Sequence, residues 1–262
     1  MSEPPIFHLT RGQIPLLVSF PHSGTFIPAD IAARMTDVGR MMPDTDWHVP
    51  RLYAFLEAMG ASRIEATHSR YVVDLNRPPD DQELYAGQKK TGLVPIDSFK
   101  GEPLYREGEA PGTDEIIARR KYWQPWHDAL AQELSRLKAV HGSVILWDAH
   151  SIESVLPELF EGRLPDLNLG TFDGKSCDAD IADAVFAAGK ASSFSAVLNA
   201  RFKGGYITRH YGNPGRGVHA IQLEMAQSIY MDEGPPFTYR PDRATKVTAA
   251  IRAMIAAALK EM

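Results

Sequence analysis

At 262 residues, with 44% hydrophobic and 23% charged side chains, the chain has the composition of an ordinary globular protein and enough length for a full core. A net charge of −5 with no basic block argues against nucleic acid as a partner, and no apolar run approaches the roughly 20 residues of a membrane span. A single cysteine, Cys177, rules out an internal disulfide framework and fits a reducing cytoplasm, and MSEPPIFHLTRGQ at the start lacks the basic-then-apolar pattern of a signal peptide.

Residues 14–20, IPLLVSF, read as a short buried strand whose exit is punctuated by Gly24 and Pro28. In 46–59 the residues Val49, Leu52, Tyr53, Leu56 and Met59 fall at helical spacing and Gly60 supplies a stop, which predicts one helix. Residues 63–66 and 71–75 read as strands. From 76 to 112 the chain is rich in Pro and Gly and has little periodicity, and a loop of that length in a compact domain is usually functional. Thr113, with Asp114 and Glu115 in the first turn, opens a long helix running to His141-Gly142, which Pro125 should kink or split. Strands are expected at 143–147, 167–171, 196–198 and 218–223, an Asp178-capped helix at 178–190 and a closing amphipathic helix at 242–260. With no internal repeat and no linker, the expectation is one α/β domain over 1–262, its mixed or mostly parallel sheet covered on both faces.

Several of these apolar segments end in residues capable of chemistry: IPLLVSF runs into His22, SVILW into Asp148-Ala149-His150, and GVHAIQL into Glu224. Ligands in α/β proteins sit outside the carboxyl ends of strands, so such residues can converge from far apart in sequence. His22 and His150 suit a metal centre with three protein ligands and one open position. The helical HExxH signature is absent, so the third ligand must come from elsewhere, and DTDWH at 44–48 is the best source. Asp46 is the preferred ligand, with Asp44 and His48 as substitutes, since one acid there can be spent on capping the helix. Asp148 could orient an imidazole from behind. Glu224, at the end of a buried strand, suits proton shuttling, because burial raises a carboxylate's pKa. Cys177, in the turn-like run DGKSCD, is expected to be structural. Arginine is suited to bidentate capture of carboxylates, and Arg70, Arg77, Arg209 and Arg216 all lie near strand ends or in the Gly-rich run GGYITRHYGNPGRG; Asn76-Arg77 stands out by position.

The motifs PHSGTFIP at 21–28, DTDWHVPRLY at 44–53, SRYVVDLNRPP at 69–79, WDAHS at 147–151, GGYITRHYG and HAIQLEM within 204–225 together resemble the N-formylglutamate amidohydrolase family over residues 13–232. That resemblance implies a three-layer α/β/α fold like that of the zinc carboxypeptidases and aspartoacylases (phosphorylase/hydrolase-like). It also implies Zn2+ or another divalent metal on His22, Asp46 and His150, with Glu224 and Arg70 catalytic. Asn76 and Arg77 would hold a substrate carboxylate, and Tyr206, Thr208, Arg209, His210, Asn213 and Arg216 would complete recognition and close over the substrate. One departure stands out: the relatives' Glu ligand three residues after the first His is Thr25 here, so Asp46 must complete the site. The implied reaction is hydrolysis of N-formyl-L-glutamate to formate and L-glutamate in histidine degradation, on a small acidic substrate in the cytoplasm. A related amidohydrolase or peptidase with another N-acyl substrate, and a non-catalytic binder of acidic ligands, are the alternatives. Oligomeric state is not encoded in any pattern seen here.

Overall fold

The computed structural model describes residues 3–81 and 91–262. Seven strands form one sheet: β1 Phe7–Thr10, β2 Leu16–Phe20, β3 Ser62–Ala66, β4 Val144–Ile152, β5 Leu167–Gly170, β6 Ala196–Leu198 and β7 Val218–Ala226. Their order is β1-β3-β2-β4-β7-β5-β6. The central run β3-β2-β4-β7 is parallel throughout, while β1 joins β3 and β5 joins β7 antiparallel. The sheet is therefore mixed but mostly parallel, as the alternating pattern of elements predicts.

Strand alternation divides the core into two layers. Val18, Phe20, Ile145, Trp147, Ile221 and Leu223 face one side, beneath the helices Ala179–Lys190 and Pro241–Lys260 and the short helices Val49–Leu52 and Leu56–Met59. Leu17, Ile64, Val144, Leu146 and Ala220 face the other, beneath the helix Arg120–His141 and the segment carrying Tyr71, Val72 and Leu75. Each fully buried side chain of Leu or Phe size contributes about 1.5–3 kcal/mol. Trp147, wholly buried, also donates its Nε1–H to Tyr53 Oη at 2.9 Å, so the indole's one polar atom is satisfied.

Several elements differ from expectation for identifiable reasons. The helix expected over 46–59 is two short helices: His48 takes a left-handed conformation (φ 65°), and Asp46 turns back so that its N–H donates to His22 O at 3.0 Å. Residues 71–75 are a buried turn rather than a strand, since the neighbouring edge of β3 is occupied by β1, a half-exposed strand that no sequence signal marked. The long helix does divide, but at Arg119 rather than Pro125, giving Thr113–Ala118 and Arg120–His141. Arg119 is held there by its Nη1, which donates to Tyr71 O, Val72 O and Tyr105 Oη. The run read as a recognition loop contains a helix, Tyr206–Tyr211, too short between its flanking glycines to show a period. β4 and β7 each run further than expected, through the polar residues themselves. Within the long loop, 82–90 lies outside the described residues. Cys177 is free and buried in the core, its thiol pushed up to about 12 by burial, which suits a structural role.

After β2 the chain leaves toward β3 on one side, whereas β4 lies on the other side of β2. Such a reversal opens a crevice at the carboxyl ends of the two strands. The turn that enters it is tight: a Cβ on Gly24 would stand 2.2 Å from the backbone oxygen of His68. Gly24→Ala is expected to cost about 1–3 kcal/mol through overpacking, measured as a lowered Tm, whereas Gly234→Ala, with open space around it, should leave Tm unchanged.

Candidate metal centre and active site

His22 follows β2 directly, while Asp148 and His150 share one face of β4, and Gln222 and Glu224 share the same face of β7. His150 and Glu224 are direct partners across the parallel β4/β7 pair, so the central strands alone bring a histidine and a glutamate side by side. Asp46 arrives from the turn before Val49–Leu52, placed by its N–H bond to His22 O.

His22, Asp46 and His150 are all buried and converge. His150 Nδ1 stands 3.2 Å from His22 Nδ1 and 3.2 Å from Asp46 Oδ2, and His22 Nδ1 stands 3.7 Å from Asp46 Oδ2. The opposite nitrogen of each ring is anchored on a buried carboxylate: His22 Nε2 on Asp74 Oδ1 at 2.7 Å, His150 Nε2 on Asp148 Oδ2 at 2.8 Å. Asp148 is itself fixed, its Oδ1 accepting from Ser19 Oγ at 2.6 Å. Donation from Nε2 leaves Nδ1 of each ring as the lone-pair atom, and both point at the Asp46 carboxylate.

A divalent cation fits this arrangement on three counts. Two imidazole nitrogens and a carboxylate oxygen are the donor set of a catalytic zinc site. Their separations of 3.2–3.7 Å bracket the distance of about 3.3 Å between ligands of a tetrahedral ion with bonds of 2.0–2.1 Å. Asp46 Oδ1 is buried without a hydrogen-bond partner among the described residues, although such an atom normally has one.

Electrostatics point the same way. Burial, with Arg70 close by, holds His22 below the usual imidazole value despite Asp74. For His150 burial opposes charging, but Asp148 and Asp46 outweigh it and raise its pKa well above normal. The field that favours a proton at His150 Nδ1 favours a metal cation there equally. Burial likewise works against the Asp74 carboxylate, yet His22, Arg70 and Arg77 hold it well below the usual range. Glu224 is pushed up to about 8, first by burial and then by Asp46 and Asp148, against the opposing pull of His150 and Arg70. A carboxylate tuned this way, beside a donor cluster, is suited to moving protons near neutral pH.

Residues 14–231 match the family model described as N-formylglutamate amidohydrolase. The chain belongs to that family. It is 53% identical over 257 residues to an N-formylglutamate deformylase of Pseudomonas aeruginosa, covering 95% of this chain and 94% of that one. It is 49% identical over 258 residues to the N-formylglutamate deformylase of Pseudomonas putida, covering 97% and 94%. The crystal structure of N-formylglutamate amidohydrolase from Ralstonia eutropha JMP134 superposes with a TM-score of 0.83 at 25% identity, covering 96% of each chain.

Of the site residues expected from the sequence, His22, Asp46, His150 and Glu224 come together, with Arg70 beside them: its Nη2 donates to Asp74 Oδ2 at 2.7 Å and its guanidinium lies 4.7 Å from the Phe99 ring centre. The substitutes for Asp46 are engaged elsewhere. Asp44 Oδ2 accepts from Phe99 N at 2.9 Å, and His48 Nε2 donates to Phe237 O at 2.7 Å. Thr25 is exposed. Asn76 is buried with its Nδ2 3.2 Å from His150 Nε2, and its Oδ1 accepts from Ile207 N at 2.8 Å. Arg77 donates to Thr91 O, Thr91 Oγ1 and Asn76 O. Tyr206 and His210 stack on each other at 4.8 Å, with Tyr206 also 5.9 Å from Trp123. Thr208 is buried with Oγ1 unpartnered among the described residues. Arg209 donates from Nε to Gly204 O and lies over Phe172. Asn213 and Arg216 are exposed, and Arg216 precedes the first residue of β7, so about 20 Å of strand separates it from Glu224. The structure does not bring Arg216 to the site.

Asp74 and Gln222 also belong to the site, although no motif in the sequence singles them out. Asp74 had a signal, an acid inside the apolar run YVVDL. Gln222 had the period-2 spacing that puts it on the Glu224 face; its Oε1 accepts from Gly205 N at 2.7 Å and its Nε2 lies 3.4 Å from Glu224 Oε2. Asp148→Asn is expected to keep the fold and lower metal affinity about 10–100-fold, read by competition with a chelating dye; unchanged affinity would mean that His150 is not a ligand.

Proposed function

We propose that this protein hydrolyses N-formyl-L-glutamate to formate and L-glutamate, using a divalent metal, zinc by preference, held by His22, Asp46 and His150. What carries this reading is identity of about one half, along nearly the whole chain, to two N-formylglutamate deformylases, in a chain that brings these donors and Glu224 together. The metal supplies Lewis acidity and lowers the pKa of a bound water. Glu224 takes a proton from the attacking water and delivers it to the departing amino nitrogen. As a base it must be ionised, so kcat/KM falls when pH drops through its pKa.

Arg70 stabilises negative charge that develops on the formyl oxygen; a guanidinium has five N–H groups, more than Asp74 uses. Arg77, whose acceptors among the described residues are neutral, and the helix Tyr206–Tyr211 offer groups for the glutamate portion. Asn76 holds that helix through Ile207 N and serves recognition by placing it. Formate release of this kind fits a late step of histidine degradation in the cytoplasm, where a lone buried thiol is stable. No helix among the described residues is long and apolar enough to cross a membrane.

The test is formate release from N-formyl-L-glutamate. Activity should disappear with a chelator and return with zinc, and Glu224→Gln should retain metal while losing about 10²–10⁴-fold in kcat. Absence of formate release by the metal-loaded protein would reject the reading, and a near-normal Glu224→Gln enzyme would reject Glu224 as the base.

A further inference from the structure

A substrate with two carboxylates needs two cationic receptors, and Arg77, whose acceptors among the described residues are neutral, can serve only one of them. Arg70 is held by Asp74, and Arg77 rests on Thr91 and its own neighbour's carbonyl. Arg201 differs. Its side chain is half-buried, and among the described residues its buried Nε has no hydrogen-bond partner and the guanidinium joins no ion pair. A buried guanidinium N–H without an acceptor is unfavourable, and native proteins keep such a group where something else completes it.

Its position is informative. Arg201 lies between β6 and the helix Tyr206–Tyr211, and its guanidinium is 5.8 Å from the ring centre of Phe202. Phe202 packs on the small apolar cluster of Ile152, Leu156 and Leu164, which also receives Phe99. Ile152 is two residues beyond His150 on the same face of β4. Two aromatic rings of one cluster therefore each bear a guanidinium, Phe99 that of Arg70 and Phe202 that of Arg201. The first is paired with a carboxylate and the second is not.

We propose that Arg201 is the receptor for the side-chain carboxylate of the substrate. This rests on the deformylase reading above. The formyl group must reach the His22–Asp46–His150 cluster, which puts the α-carbon beside it. The side-chain carboxylate, three carbons on and about 4–5 Å further out, then has the Ile152 cluster, with Phe202 and Arg201 upon it, as its neighbouring wall. Guanidinium and carboxylate then form a bidentate pair against an apolar surface, the geometry for which arginine is better suited than lysine.

The experiment compares wild type, Arg201→Met and Arg201→Lys on N-formyl-L-glutamate, N-formyl-L-glutamine and N-formyl-L-isoglutamine, with Tm and metal content as controls. Wild type should prefer glutamate over glutamine by about 10²-fold or more in kcat/KM. Arg201→Met should bring that ratio to within a few-fold, mainly through KM, and lower kcat/KM on the glutamine substrate far less than on the glutamate one; Arg201→Lys, which retains the charge in a smaller disturbance of packing, should fall between. An unchanged ratio, an equal loss on all three substrates, or a collapse confined to discrimination against isoglutamine overturns the assignment. Calorimetric binding of L-glutamate against L-glutamine separates the two readings, because it needs no turnover. Binding of L-glutamate that Arg201→Met abolishes supports the receptor even where no formate is released, whereas equal binding by the variant sinks it.

Discussion

The site depends on two buried carboxylates that touch no substrate. Asp74 and Asp148 each take the Nε2 of one histidine, and by doing so determine which nitrogen of that ring is left to bind a metal. With Nε2 engaged on both rings, His22 and His150 offer Nδ1 to the same point, where Asp46 meets them. Two full carboxylates behind the rings and one in front make a region of negative potential inside a low-dielectric interior, and such a region is stable only with compensating positive charge. Arg70 supplies part of it through Asp74, and a divalent cation on these donors would supply more.

The fold meets this requirement with few parts. Two adjacent parallel strands carry the Asp148/His150 pair and Glu224, and His22 stands in the turn just past the neighbouring β2, so rigid backbone rather than a loop sets the spacing between the candidate ligand His150 and the candidate base. Sites built on strands are held more closely than sites on loops, because each side chain inherits the register of the ladder. His22 and Asp46 both come from irregular backbone, and they are tied to each other by a main-chain hydrogen bond, so the two cannot drift independently.

Much of this could be read in the sequence because strand burial leaves a plain signature. VILWDAHSI starts as an apolar run and turns polar at Asp148 and His150, two residues apart on one face, and HAIQLEM sets Gln222 and Glu224 in the same alternation between Ile221, Leu223 and Met225. What could not be read depends on partners distant in the chain. The buried run at 71–75 carries the same residue types as a strand and differs only in that β1 already occupies the edge it would have joined. The pairing of Asp74 with His22 spans 52 residues and that of Asn76 with Ile207 spans 131, and no local pattern encodes either. Arg216 lies near the end of the same Gly-rich run that carries Tyr206, but it stands two residues before the start of β7 and so at the far end of that strand from Glu224.

The helix Tyr206–Tyr211 has no capping side chain of its own. Its first-turn N–H groups are instead satisfied by two amides from elsewhere, Gln222 Oε1 at Gly205 and Asn76 Oδ1 at Ile207. Because each amide accepts through oxygen on the helix side, each must present its NH2 to the other side, toward Glu224 and His150 respectively. Lifting this helix would strand two buried amide oxygens and two backbone N–H groups at a cost of about 1–3 kcal/mol each, and would release the glutamate from its neighbour at the same moment. The segment is therefore a fixed jamb rather than a door, not the closing element that its position in a Gly-rich run suggests.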